Sequence, residues 1–267
     1  MLIVMSLLVI LISMLLPAVQ QVRESARRLS CQNNQMQIAS ALLQYESAQE
    51  HLPPGVINDK GPIADDGTGL EISFYVLIMP YLEQPALAEN FNFAEGAYAA
   101  INESLGSLKL GFLNCPSDNA TLNNYAGCHH HQEAPIDVDN KGLLFLNSQV
   151  RHREIQDGRV HTILLGEKLS DTGESNWLSG TRATLRNTGS FSNKPWRNVN
   201  PAPVNLQSNQ VATGEELIVG GFSSRHSGGC IFSFADGSQQ FVEYSIDPAV
   251  LENLGHRADG AMMGRCW

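Results

Sequence analysis

The sequence predicts an α+β protein in which a long N-terminal helix is set against a globular body built around an antiparallel sheet. Three observations carry that reading. Met1–Leu16 is uncharged, and helical spacing of apolar residues continues beyond Pro17 as far as Pro53-Pro54. Near the other end, Asp236-Gly237 separates two alternating runs, the pattern of a β-hairpin. Between them, 23 Gly and 12 Pro in 267 residues describe a turn-rich body rather than a helical bundle. A chain of this length forms one large or two small units, with ample material for a core.

Met1–Leu16 has only Ser6 and Ser13 as polar groups. As a helix it covers about 24 Å, short of the ~30 Å of a bilayer's hydrocarbon core. It has no basic flank before it and no small-x-small site after it, which sets it apart from a cleaved secretory signal. Arg23, Arg27 and Arg28 follow, and the positive-inside rule by itself would place that side in the cytoplasm. Beyond Pro17, where a kink is expected, Val22, Ala26, Leu29, Met36, Ala39 and Leu43 recur at three, four or seven residues. That stripe is the face expected to pack on the sheet. Leu52-Pro53-Pro54-Gly55 ends the helix.

Residues 55–70 read as a loop and Ile72–Pro80 as a strand or a buried short helix. Residues 83–107 read as helical in part, and Cys115-Pro116-Ser117-Asp118 as a turn. Gly142–Leu146 and His161–Gly166 read as strands, with a turn at Asp157-Gly158 ahead of the second. Residues 187–214, rich in Asn, Ser, Pro and Gly, read as a long surface loop. In the hairpin over 231–242, a two-residue type I′ turn at Asp236-Gly237 would pair Phe232 with Phe241 and Ile231 with Val242.

Charged residues make up only 16% of the chain and the net charge is −10, which argues against a nucleic-acid partner. Five Cys without a Cys-x-x-Cys pair suggest neither a small disulfide scaffold nor a zinc ribbon. There is no Gly-x-Ser-x-Gly elbow, P-loop or Gly-x-Gly-x-x-Gly. Ser224, His226 and Asp236 are near in sequence, but residues that close around a hairpin are more often structural than a triad. His226 is expected to hydrogen-bond the turn or a neighbouring strand. The chain therefore reads as non-enzymatic, with no catalytic residue and no required cofactor. The strongest candidate for chemistry is Cys128-His129-His130-His131-Gln132-Glu133 with Asp137 and Asp139. His129, Glu133 and Asp137 are its better ligands for a divalent metal, although adjacent histidines cannot all face one ion. A hard-cation site around Asp137, Asp139 and Asn140 is the second possibility, and an exposed polar loop the plain one.

The string Leu15–Arg28 (LLPAVQQVRESARR) followed by Cys31-Gln32-Asn33-Asn34 resembles the start of bacterial prepilin-like proteins. His226, nine residues, then Asp236-Gly237 resembles the C-terminal signature of the same large family, the domain of unknown function 1559 type. Ser73–Gln84, Phe112–Asp118, Asn124–Gly127 and Ile155–Glu167 extend the likeness along the chain. The resemblance implies a pilin-like helix, with residues 1–28 a membrane anchor, 29–54 its amphipathic half and 55–267 an extracytoplasmic body. It implies a single-pass protein of the bacterial inner membrane, a pseudopilin-like part of a type II secretion or type IV pilus-like assembly. Its partners would be the membrane, other pilin-like subunits and a prepilin peptidase. Such proteins begin with a basic leader and Gly-Phe-Thr-Leu-Ile-Glu, which is missing before Met1, so the natural start is expected upstream. An extracytoplasmic metal- or ligand-binding domain on a pilin-type anchor is the alternative. In an oxidising compartment the cysteines should pair. Cys31 with Cys115 would close a loop of about 84 residues, for roughly 4–5 kcal/mol by chain entropy. Cys128 with Cys230 would be the second bond, leaving Cys266 free.

Overall fold

The structure is a computed structural model that describes residues 2–64, 67–118, 123–169, 176–191 and 217–261, without the side chains of residues 2, 6–12 and 14. Cys266 therefore lies outside the described residues. Helix α1 runs over Leu2–Gln49 and continues through Pro17. Strands β1 (Val56–Ile57) and β2 (Ile72–Ser73) form a small antiparallel pair. Helix α2 (Phe74–Ile78) starts where Ser73 caps it, the Ser73 Oγ accepting from the Tyr75 N–H. The open choice over 72–80 thus resolves as a short strand running into a buried helix, and α3 (Pro85–Glu89) and α4 (Ala100–Gly106) follow.

The central sheet has six strands: β3 (Tyr125–His130), β4 (Ile163–Glu167), β5 (Leu185–Phe191), β6 (Gly221–Phe222), β7 (Gly229–Phe234) and β8 (Gln239–Glu243). Their order is β6-β5-β3-β4-β7-β8. The pairs β3–β4, β4–β7 and β7–β8 are antiparallel, whereas β3–β5 and β5–β6 are parallel. The sheet is mixed, which corrects the antiparallel expectation for the β6-β5-β3 side. Only chain-distant segments meet there, so no hairpin signal announces the pairing.

Both faces of the sheet are covered. Helix α1 packs over β7, β4 and β8, and helix α5 (Pro248–Gly255) packs over β5, β3 and β4. Side chains of β7 alternate accordingly. Ile231 joins the α1-side core, while Cys230, Phe232 and Phe234 join the core under α5 with Leu251 and Leu254. Burial on two sides explains why β3 and β7 are buried nearly throughout.

Three local readings change. The hairpin closes through Ala235-Asp236-Gly237, because Phe234 pairs with Ser238 and Gly237 takes φ +87°. That is a three-residue loop with a left-handed glycine, so Phe232 faces Gln240 and Ile231 faces Phe241, one residue off the expected register. Residues 142–146 form no strand. Gly142, Leu143 and Leu144 donate irregularly to the carbonyls of His129 and Cys128, and a Cβ on Gly142 would lie 2.5 Å from Cys128 O. Of the loop expected over 187–214, Asn187–Phe191 belong to β5, and 192–214 lie outside the described residues.

Helix α1 docks through a face that shares only its C-terminal end with the expected stripe: Ala39 is buried and Leu43 half-buried, whereas Val22, Ala26, Leu29 and Met36 are exposed. Cys31, Gln35, Ile38, Ala39 and Leu42 are fully buried. Val22, Leu29 and Met36 point outward at 68%, 60% and 49% exposure. Gln35 is buried because the sheet satisfies it: its Nε2 donates to Ile231 O, and its Oε1 accepts from Ser233 Oγ. Glu46 holds the far end through a two-pronged contact with Arg159. Among the described residues no helix is long and apolar enough to cross a membrane, so a spanning anchor over residues 1–28 is not supported.

Candidate functional site

Five side chains far apart in sequence meet where α1 crosses the sheet. Glu24 and Cys31 come from α1, Glu167 from the end of β4, Cys115 from the turn before β3, and His226 from the loop between β6 and β7. The Cys115 turn is built by Asn124, whose Oδ1 accepts from Cys115 N at 2.8 Å and whose Nδ2 donates to Asp118 at 2.9 Å. The His226 loop is set by its backbone N–H donating to Ser224 Oγ.

His226 is the hub. Its Nδ1 lies 2.6 Å from Glu24 Oε1, and its Nε2 lies 3.3 Å from Glu167 Oε1 and 3.5 Å from Cys115 Sγ. Cys31 Sγ is 2.7 Å from Cys115 Sγ, both as free thiols. Glu167 Oε2 accepts from the Ile231 N–H at 2.9 Å, whereas its buried Oε1 accepts no hydrogen bond.

Burial disfavours the charged form of His226, but its contacts with Cys115, Glu167 and Glu24 outweigh that and raise it to about 10. Burial would likewise raise Glu24, yet His226, Ser117 and Arg27 together lower it. The Cys31 thiol donating to Cys115 brings Cys115 down to about 6, with His226 assisting against burial, and pushes Cys31 upward. The site sets the His226 imidazole between two carboxyl groups, beside two cysteine sulfurs in contact.

Of the expected site residues, His226 enters this cluster. Asp236 and Gly237 stay in the hairpin turn, where Asp236 Oδ1 accepts from the Ser238 N–H and hydroxyl. The Ser224 hydroxyl accepts from the His226 backbone N–H, and the imidazole turns to other partners, so no Ser224–His226–Asp236 relay forms. Cys31 and Cys115 do meet, but as free cysteines and not as the expected disulfide. Cys128 and Cys230 do not, because β4 lies between their strands and the registers set them several residues apart along it. Glu24 and Glu167 escaped the sequence reading. Both sit inside stretches quoted for the family likeness, but a lone carboxylate there carries no local signal of its partners.

The expected metal ligands His129, Glu133 and Asp137 are dispersed. His129 Nδ1 bonds Asn140 Oδ1 at 2.9 Å inside the core. Glu133 accepts from the N–H groups of Val219 and Gly220 and from Asn187 Nδ2. Asp137 accepts from the Val138 N–H. The hard-cation alternative fares no better, since Asn140 Oδ1 is taken by His129 and by Asp137 N. These side chains hold β3 against its neighbours.

That role has a pH signature. Burial lowers His129 to about 4, against Asn140 and aided by Arg186. Burial, His129, His131, His256 and Lys141 lower His130 to about 3. Below pH 6.5 the unfolded chain takes up these protons and the folded chain does not, so stability falls as pH drops from 6.5 toward 4. Through fully buried His129 alone the loss should reach roughly 3 kcal/mol. Urea midpoints across that window should shift less in His129→Leu, and an unchanged pH slope would refute the assignment.

A long helix docked on a two-sided mixed sheet and held by buried thiol, imidazole and carboxylate groups defines a helix-on-sheet α+β protein. The chain belongs to the family described as protein of unknown function (DUF1559), whose family model matches residues 20–249. That span contains all five clustered residues. No curated protein and no solved structure matches the chain.

Proposed function

We propose that this protein is a pilin-like structural subunit rather than an enzyme, and that its α1 packs lengthwise against α1 of neighbouring copies. One observation carries the reading: the outward face of α1 is an apolar seam. Leu15, Val19, Val22, Ala26, Leu29 and Met36 all face solvent, at alternating steps of four and three residues until Asn33 interrupts them. That 3.5-residue period is the one by which helices pack lengthwise on each other, and the body leaves it uncovered. The likeness of Leu15–Arg28 to prepilin-like proteins supports the same role, as does the apolar character of Met1–Leu16. A type IV pilus-like or type II secretion-like assembly is the setting this favours.

The full chain, purified in detergent and then diluted below the micelle threshold, should form ordered oligomers visible by sedimentation and electron microscopy. Val22→Lys with Leu29→Lys places two charges in the seam and should weaken association more than tenfold, because each exchanges apolar burial for a desolvated ammonium. Neither side chain lies in the core, so unfolding of the body should stay unchanged. A wild-type chain that stays monomeric, or a double variant that assembles equally well, would overturn the reading.

A further inference from the structure

We propose that Cys31, Cys115, Glu167 and His226 form a binding site for a divalent transition-metal ion of the zinc class, which pins α1 to the body. This is independent of how copies assemble. All four residues are buried, and one donor atom from each lies within 4.8 Å of the others. Two sulfurs, an imidazole nitrogen and a carboxylate oxygen are the donor set that suits zinc and disfavours magnesium or calcium.

Two of the six donor–donor distances already match a tetrahedral site. A tetrahedral zinc with ordinary bond lengths separates a His nitrogen from a thiolate by about 3.5 Å and from a carboxylate oxygen by about 3.3 Å. His226 Nε2 stands 3.5 Å from Cys115 Sγ and 3.3 Å from Glu167 Oε1. A third edge differs: two thiolates on one zinc sit about 3.8 Å apart, so the sulfurs, now at 2.7 Å, must part by side-chain rotation.

The second observation is Glu167 itself. Its residue is 1% exposed, and its inward Oε1 accepts no hydrogen bond. The group facing it is His226 Nε2 at 3.3 Å, and a metal ion between the two would satisfy both. The third is the outer shell. Glu24 lies 2.6 Å from Nδ1 of His226, the nitrogen pointing away from the other donors. A carboxylate on the far nitrogen of a ligating histidine fixes its tautomer and strengthens it as a ligand. The Ile231 N–H orients Glu167 in the same way. On binding, the sulfurs and Nε2 release their protons to solvent while Nδ1–H stays on Glu24.

The test uses the full chain, purified with reductant and no chelator, then dialysed against zinc(II) or cobalt(II). One equivalent of zinc should remain per chain by elemental analysis. Cobalt(II) should give thiolate-to-metal absorption and the intense visible bands of a tetrahedral site. Glu24→Gln keeps every ligand and should weaken zinc binding 10- to 100-fold. Cys115→Ser should abolish the thiolate band, and if that variant fails to fold, the wild-type cobalt spectrum and Glu24→Gln decide. Retention of no zinc by the wild-type chain, an octahedral cobalt spectrum, or a Cys31–Cys115 disulfide in the chain as isolated from cells would each overturn the proposal.

Discussion

Replacing His226 with alanine should lower the unfolding free energy by about 3–5 kcal/mol in reducing buffer containing a chelator. Chelation separates this effect from any bound ion. In the metal-free protein the imidazolium faces Glu24 at 2.6 Å and Glu167 at 3.3 Å. Removing it strands the Glu167 carboxylate in the core with one oxygen lacking a hydrogen bond. The penalty comes from that uncompensated charge more than from the lost contact, so Glu167→Gln in the His226→Ala background should recover part of it. Urea unfolding followed by tryptophan fluorescence measures both. A His226→Ala loss below about 1 kcal/mol would mean that the cluster is not what holds the helix.

Leu42→Ala should cost about 2–5 kcal/mol, whereas Leu29→Ala on the same helix should stay within about 0.5 kcal/mol. Leu42 is fully buried in the α1-side core, and Leu29 is 60% exposed. Truncating Leu42 leaves a cavity between α1 and the body that the helix, held nearby by Gln35 and by the Glu46–Arg159 pair, cannot collapse to fill. Leu29 leaves nothing behind but solvent. Thermal unfolding of the two variants under identical conditions reads the difference directly. Equal losses would place the docking face of α1 wrongly.

The contrast between those leucines shows where periodicity misleads. Val22, Leu29 and Met36 form the more apolar stripe, and an amphipathic reading turns it toward the sheet. The body instead takes the face with Cys31 and Gln35, because Ile231, Ser233 and Cys115 offer those groups partners. The same reversal governs β3. Cys128-His129-His130-His131 looks like a polar loop, but Asn140, the 142–146 segment and α5 bury it as a central strand. His129 becomes a core side chain, while His130 and His131 stay half-buried at the end of the strand.

The sequence by itself determined α1, the β4 strand, the 231–242 hairpin and the family, because each signal is local: spacing, a turn dipeptide, a short string. It singled out His226 and the Cys31–Cys115 encounter as well, though not their company. Only the tertiary structure decided the parallel β5 and β6 pairings, the docking face of α1 and the meeting of Glu24 and Glu167 around His226. Those contacts join segments up to 202 residues apart. A side chain's worth in such a place is set by the donors and acceptors that the fold carries to it, and no local window contains them.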